Sequence, residues 1–130
     1  MLADTSFVID IMSNESAALR KAQELEKAGT AVLIGSPSIF ELFVGVALSR
    51  KPTEERMKIA AILESLAQLP LDFNSAKTAG AIYGEKIKAG TQIDPEDAMI
   101  AGIAKTNKQR IVTRNVKHFS NIEGVEVENY

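Results

Sequence analysis

The sequence predicts an α/β protein in which helices cover both faces of a mostly parallel β-sheet. The first observation is that short apolar runs of strand length alternate along the chain with longer segments of helical periodicity, which is typical of β–α units. The second is that these runs are continuously apolar, as in residues 31–34, and this indicates strands buried on both faces. At 130 residues, the chain has room for one domain with a self-sufficient core.

The first predicted elements are two strands on either side of a helix. Residues 1–3 form a short buried strand that places Asp4 at its carboxyl end. Residues 15–28 have apolar positions at helical spacing, and Gly29 is a suitable residue to end that helix. Residues 31–34 form the second strand.

Two further helices follow the second strand. Ser36 is expected as an N-cap and Pro37 as the first helical residue, in a helix that continues to about residue 48. Another helix is predicted over residues 53–67. The helix that starts at Ser36 is apolar around its whole circumference, with Glu41 as its one charged residue.

The remaining elements complete the alternation. A short extended segment is predicted at residues 69–72, and Asn74 is expected to cap a helix that runs to Gly90. The next helix starts at Asp94 and ends near residues 106–107. Two strands are predicted at the end, over residues 110–113 and 125–127.

Composition excludes several classes of protein. The chain contains no cysteine, so disulfides, thiol catalysis and thiolate metal sites are excluded. The longest apolar run is shorter than the roughly 18 residues of a membrane span, and the first residues do not have the basic start of a signal peptide. We therefore expect a cytoplasmic protein with no membrane partner.

Four carboxylates occupy positions where the surrounding sequence does not favour them: Asp4, Glu41, Asp94 and Asp97. An ionised carboxylate in apolar surroundings is costly unless it is paired, hydrogen-bonded or bound to a metal. Neither Asp4 nor Glu41 has a nearby Lys or Arg in the sequence. Because ligands of parallel sheets collect at the carboxyl ends of the strands, the topology predicts that these acids converge there.

Such a convergence predicts a divalent cation. Carboxylates about 5 Å apart repel by ~3 kcal/mol per pair at an effective dielectric of 20, so the site must hold protons or a cation. Oxygen ligands without His or Cys favour Mg²⁺ or Mn²⁺, which activate water and stabilise an in-line phosphoryl displacement. Ser6, Thr113 and Asn115 follow predicted strands and offer neutral oxygens beside the acids.

Each acid also has a structural interpretation. Asp4 could cap the turn that follows it, and Asp94 with Asp97 matches a capping box in which Asp94 is the N-cap. Glu41 fits a structural role least well, because three of its neighbours on the same helix face are small: Ser38, Gly45 and Ser49. A Glu that points outward through small residues leaves room for a substrate.

The chain has a basic segment after Asp97. No acid occurs between Asp97 and Glu123, whereas the same stretch contains five cations: Lys105, Lys108, Arg110, Arg114 and Lys117. A basic patch beside an acidic cluster suits a polyanion such as RNA, whose backbone these residues would contact. The alternative is a solvated helix end and loop.

The sequence lacks the residues that other catalytic mechanisms need. The single His118 lies in the basic loop and is interpreted as a bystander, which leaves no base for a Ser-His-Asp hydrolase. The glycines at 80, 84 and 90 match neither a dinucleotide fingerprint nor a phosphate-binding loop. A phospho-accepting receiver domain needs an Asp at the end of a middle strand, and residues 34–36 do not supply one.

Five sequence blocks in order resemble the PIN-domain ribonucleases, and most closely the VapC-type toxins of prokaryotic toxin–antitoxin pairs. The blocks begin with Asp-Thr-Ser at residues 4–6 and continue with Pro-Ser-Ile-Phe-Glu at 37–41. Ile-Asp-Pro-Glu-Asp at 93–97, Ile-Val-Thr-Arg-Asn at 111–115 and the segment 122–130 complete the set. The resemblance covers nearly the whole chain.

The resemblance implies one PIN domain over residues 1–130 with a three-layer α/β/α fold, a homodimer, and RNA cleavage that depends on Mg²⁺ or Mn²⁺. It places Asp4, Glu41 and Asp97 at the acidic metal-site positions and Asp94 where an extra acid is often present. Asn115 stands where many members have Asp. The resemblance also implies a cognate antitoxin that binds across the groove. The missing acid at 115 keeps open the alternative of a PIN-like protein that binds RNA or a partner with weak or no catalysis.

Overall fold

A computed structural model describes residues 1–130 and contains one five-stranded sheet, in the order β3-β2-β1-β4-β5. All four neighbouring pairs of strands are parallel. The elements in chain order are β1 Leu2–Ala3, α1 Thr5–Met12, α2 Ser16–Lys27, β2 Leu33–Gly35, α3 Ser36–Leu48, α4 Pro52–Glu64, β3 Ala67–Leu69, α5 Phe73–Lys88, α6 Pro95–Thr106, β4 Ile111–Val112, a short 3₁₀ helix Val116–His118, and β5 Val127–Glu128.

Helices cover both faces of the sheet, because adjacent residues of its strands belong to two different hydrophobic clusters. Leu2 and Ile111 pack with residues of α5 and α6, whereas Ala3 and Val112 pack with residues of α1, α2, α3 and α4. This division follows from the two-residue period of a strand, in which successive side chains point to opposite faces. The predicted three-layer α/β/α architecture is therefore confirmed.

Helix α1 was not predicted from the sequence. Its residues include Thr5, Phe7, Val8 and Ile9, which are β-branched or aromatic and favour helices only weakly. Burial stabilises the helix instead, since the side chains of Phe7 and Val8 are each 1% exposed. Tertiary packing therefore overrides local propensity directly after Asp4.

Two predicted caps are wrong by one or two residues. Gly35 is the N-cap of α3, and Ser36 lies inside the helix, where its hydroxyl accepts a hydrogen bond from the Leu71 N–H at 2.9 Å. Asp72, and not Asn74, caps α5 by accepting from the Ser75 N–H at 2.9 Å. Only Asp72 caps its helix through a side chain, because Gly35 has none and the Ser36 hydroxyl is engaged with Leu71. The predicted end of α2 is confirmed, because Gly29 adopts a φ of 66°.

Smaller shifts occur at three elements, and the order of elements is otherwise as predicted. Helix α4 ends at Glu64, before the predicted residue 67. The extended segment expected over 69–72 is the strand β3 at Ala67–Leu69, and the last strand is Val127–Glu128. None of the helices is both long and apolar enough to cross a lipid bilayer.

The close packing of α5 against α6 depends on Gly102. A Cβ atom at this position would lie 2.6 Å from the Ser75 carbonyl oxygen and 2.7 Å from the Ala79 Cβ. Small buried residues on the same helix, among them Ala98 and Ala101, extend this contact. The first turn of α6, which contains Asp97, is positioned by this packing.

Candidate active site

Asp4 lies at the carboxyl end of β1 and is 4% exposed. Its Oδ2 accepts hydrogen bonds from Thr113 Oγ1 at 2.7 Å and from Ser6 Oγ at 2.9 Å. The two hydroxyls lie 3.3 Å apart, so Ser6 and Thr113 surround one oxygen of the carboxylate, as expected for supporting residues. Asp4 occupies the N-cap position of α1 but its side chain makes no capping hydrogen bond, which argues against the structural interpretation.

Glu41 lies in the second turn of α3 and is half-buried. Its Oε1 accepts a hydrogen bond from Thr5 Oγ1 at 2.8 Å. Burial raises the pKa of Glu41, the hydrogen bond from Thr5 opposes this, and the charges of Asp4 and Asp97 raise the pKa further. Because Thr5 directly follows Asp4 in the chain, its hydrogen bond brings Glu41 into the neighbourhood of that buried acid.

The small residues beside Glu41 border open space, as the sequence pattern indicated. Glu41, Gly45 and Ser49 line a groove of about 430 Å³ between α3, α4 and the end of α1. Its other walls are largely apolar, with Ile9 and Ile59 among them. The groove extends from Glu41 along α3.

Asp97 lies in the first turn of α6, where its Oδ2 is 2.9 Å from His118 Nδ1. Burial raises the pKa of Asp97 to about 6; His118 opposes this shift, and the charges of Asp4 and Asp94 add to it. The interpretation of His118 as a bystander is therefore wrong. Phe119 is completely buried and anchors the 3₁₀ helix beside α6. The sequence feature that could have indicated the position of His118 is this aromatic residue directly after it.

The raised pKa of Asp97 predicts a pH-dependent stability in metal-free protein. The unfolded chain loses this proton near 3.8 and the folded chain near about 6, so ionisation of Asp97 progressively destabilises the fold as the pH rises between these values. We expect Asp97→Asn to melt at a higher temperature than the wild type above about pH 6, and at the same temperature below pH 3.8. Thermal melts in EDTA at a series of pH values measure this difference. A constant difference at every pH, or a similar gain for Asp94→Asn, would contradict the assignment.

Asp94 and Asn115 lie at the margin of the site. Asp94 is the N-cap residue of α6, as predicted, but it is exposed and its side chain makes no capping hydrogen bond. Asn115 is half-buried, and its backbone N–H donates to Thr113 Oγ1 at 2.9 Å. That contact places Asn115 next to the hydroxyl that holds Asp4.

The donor chemistry of the site fits a hard divalent cation. Asp4, Glu41 and Asp97 each have one carboxylate oxygen that accepts no hydrogen bond from the protein. Mg²⁺ and Mn²⁺ prefer such oxygens. No three Asp, Glu or His side chains are gathered closely enough to hold a metal as they stand. The acids therefore share a neighbourhood without forming a closed coordination shell.

Three of the five predicted RNA contacts do not lie near the acids. Arg110 precedes β4 and pairs with Glu126 and Glu128, so it lies at the amino end of the sheet, opposite Asp4. Lys108 lines a cleft at the same end, and Lys105 is in the last turn of α6, the end opposite Asp97. The expectation that Lys105, Lys108 and Arg110 flank the acidic cluster is wrong. Helix α6 and strand β4 each run the length of the sheet, so residues that are close in sequence lie at its opposite ends.

The other two cations lie on the side of the acids. Arg114 follows β4, and its Nη1 is 2.6 Å from Asp10 Oδ1. Lys117 lines a cleft that also contains Asp94 and Asp97. The charge of Arg114 is thus partly neutralised within the protein, and Lys117 remains without a carboxylate partner.

Asp10 was missed in the sequence, although it is only 4% exposed. Besides Arg114, it accepts a hydrogen bond from the Tyr130 hydroxyl at 2.7 Å, and burial together with this bond raises the pKa of Tyr130. The Arg114 N–H in turn donates to Ser6 Oγ at 3.3 Å. This network ties the segment after β4 to α1. Its sequence signal was the same as for Asp4, a lone acid in an apolar stretch.

The chain is similar to known proteins over nearly its whole length. A family model described as PIN domain matches residues 1–125. A curated relative from Shigella flexneri, named tRNA(fMet)-specific endonuclease VapC, is 28% identical over 99% of this chain and 96% of its own length. The structure of DNA-bound VapBC from Salmonella typhimurium superposes with a TM-score of 0.88 at 28% identity, covering 98% of this chain and 96% of the other. VapBC2 from Rickettsia felis, bound to a DNA fragment from its promoter, has a TM-score of 0.91 at 23% identity over 99% and 97% of the two chains.

Proposed function

The chain belongs to the PIN-domain family, and from this premise we propose that it is a metal-dependent endoribonuclease that acts as the toxin of a VapBC-type toxin–antitoxin pair. The observation that carries the proposal is that acids distant in sequence share one neighbourhood: Thr5, the residue after Asp4, donates a hydrogen bond to Glu41, and the charge of Asp4 raises the pKa of both Glu41 and Asp97. A relative named as a VapC endonuclease, aligned over nearly the whole chain, supports the same reaction.

In this proposal Asp4, Glu41 and Asp97 hold Mg²⁺ or Mn²⁺, with Asp94 contributing charge from the margin. When bound, the ion supplies an activated water and stabilises negative charge on the phosphate that is cleaved. An acidic site without His or Cys ligands matches these ions by donor type.

The remaining residues orient the acids. Ser6 and Thr113 donate to one oxygen of Asp4 and leave the other free for the ion. Thr5 does the same for Glu41, and His118 for Asp97. Such outer partners fix ligand direction and are commonly worth about 10–100-fold in affinity or activity. Asn115, one residue beyond Arg114, adds a neutral amide near the substrate instead of a further charge.

A partner protein is proposed on the exposed apolar surface of α3. Phe40 is 60% exposed and Leu48 81% exposed, and Phe43 and Val44 lie between them. A contiguous apolar surface of this kind marks an interaction site more often than chance exposure does. We propose that the cognate antitoxin covers this surface along the groove beside Glu41, and that the toxin itself forms a homodimer.

The proposal is tested by incubating the purified protein with RNA in the presence of Mg²⁺, Mn²⁺ or EDTA. We expect cleavage with either ion, none with EDTA, and suppression by the co-expressed antitoxin. The ions should also raise the melting temperature of the wild type more than that of Asp97→Asn, because a ligand that binds only the folded state stabilises it. Cleavage that persists in EDTA would contradict the proposal.

The rival function is a PIN-like protein that binds RNA or a partner without cutting. It is favoured by Asn115 in place of an acid and by the absence of a closed set of three ligands. Calorimetric titration with Mn²⁺ separates the two. Intact RNA binding with no metal binding at millimolar concentration would favour the rival.

A further inference from the structure

A second cleft adjoins the acidic site on the side away from α3. It lies between the ends of α5, the start of α6 and the 3₁₀ helix, and has a volume of about 170 Å³. Asp97 lines this cleft and is also one of the three central acids, so the cleft opens directly beside them. Its size admits one phosphate with its sugar.

The cleft contains two lysines and a histidine, and only the histidine contacts a carboxylate, that of Asp97. Lys86 enters from α5, while Lys117 and His118 enter from the 3₁₀ helix. Arg114, which also lies on the side of the acids, is paired with Asp10, and Arg110 lies at the opposite end of the sheet in a pair with Glu126 and Glu128. Lys86 and Lys117 form no ion pair in the structure.

The Lys86 ammonium is held in place before any ligand arrives. Its Nζ donates to the Asn121 carbonyl oxygen at 2.8 Å, and the residue is half-buried. An ammonium has three N–H donors, so two remain for a ligand. Because the side chain is already restrained, binding a ligand there costs less conformational entropy.

The two walls of the cleft carry opposite charges. Asp94 and Asp97 come from the start of α6, and the lysines come from the other two elements. Neutral donors from Gln92 and Asn121 lie between the walls. A polyanion is therefore attracted to the lysine wall and kept off the acidic wall, which gives a strand one preferred path past Asp97.

We infer that this cleft binds a phosphate of the RNA strand next to the phosphate that is cleaved, through Lys86 and Lys117. The inference rests on the proposed function, because it names where the substrate of that same site lies. Phosphate contacts of this type position a strand and are independent of its sequence.

The test compares two double variants that lose the same charge. Lys86→Met with Lys117→Met removes the lysines of the cleft, and Lys88→Met with Lys108→Met removes two exposed lysines that do not line it. Binding of fluorescein-labelled oligouridylate and oligoadenylate is measured by anisotropy in EDTA over a series of KCl concentrations. Each phosphate contact on a single strand contributes about 0.7 to the slope of log K against log salt.

For both oligonucleotides, we expect the magnitude of the slope of log K against log salt to fall by about 0.7–1.4 in the cleft variant and to stay unchanged in the control variant. With Mg²⁺ present, the cleft variant should raise the KM for RNA cleavage with little change in kcat. Melting temperatures of both variants are measured, so that a folding defect is recognised. An unchanged slope, an equal loss in the control, or no binding by the wild type would overturn the inference. Absence of cleavage by the wild type, with the slope behaving as expected, would contradict the proposed function alone.

Discussion

Asp4→Asn is expected to lower the rate of RNA cleavage by about 10²–10³-fold, the largest effect on activity of any single substitution considered. A catalytic metal is worth several kcal/mol of transition-state stabilisation, and each 1.36 kcal/mol is tenfold in rate. Asp4 combines burial with a free oxygen directed away from its two hydroxyl donors, so it is the most rigidly held of the three acids. Initial rates with saturating Mn²⁺ measure the loss.

The fold should survive this substitution. Asparagine retains one oxygen that can accept from Ser6 and Thr113, and it removes a buried charge. Asp94→Asn is the matched control: it removes the same charge at the margin of the site, from an exposed residue without a side-chain capping bond, and should change the rate by less than about threefold. Equal rates for wild type and Asp4→Asn, or equal losses for the two variants, would contradict the assignment of Asp4 as a metal ligand.

Gly102→Ala is expected to destabilise the protein by about 3 kcal/mol, which lowers the melting temperature by about 10 °C for a domain of this size. The new Cβ would lie 2.6 Å from the Ser75 carbonyl oxygen and 2.8 Å from the Ala79 backbone nitrogen. Backbone atoms of a packed helix cannot rotate away as a side chain can, so α5 and α6 must separate. Denaturant unfolding measures the change.

Gly80→Ala is the control for this prediction. Gly80 lies in α5, and an added Cβ there meets no atom within 4 Å. Alanine favours a helix over glycine by roughly 1 kcal/mol, so this variant should be as stable as the wild type or more so. If both variants behave alike, the close approach of the two helices at Gly102 is not what limits the packing.

The architecture was predictable from the sequence because it depends on periodicity and on general rules of connection. Continuous apolar runs of strand length, separated by helical segments, leave a parallel sheet as the expected outcome. The same topology brings the carboxyl ends of strands together, which is why Asp4 and the helices bearing Glu41 and Asp97 were expected to meet. The charge of Asp4, which raises the pKa of both Glu41 and Asp97, agrees with that convergence.

Helix α1 and the N-caps were not predictable by the same route. The residues of α1 favour a helix only weakly, and the helix is stabilised by burial of Phe7 and Val8 against the sheet. The N-caps at Gly35 and Asp72 depend on the exact path of the chain before each helix. Residue propensities locate a helix end only to within one or two residues, so they do not distinguish neighbouring candidates for the cap.

The sequence by itself indicated the fold class and the three acids of the candidate site, because the first follows from the alternation of strands and helices and the second from isolated charges in apolar segments beside predicted strand ends. Only the tertiary structure decided the surroundings of those acids. It paired Asp10 with Arg114, brought His118 to Asp97, and moved Lys105, Lys108 and Arg110 to the far end of the sheet. Contacts of this network join residues as far apart as Asp10 and Tyr130, 120 positions along the chain. A charged residue that is close to an acid in sequence can lie at the opposite end of a strand from it. The ion-pair partner of such a residue depends on which elements pack together.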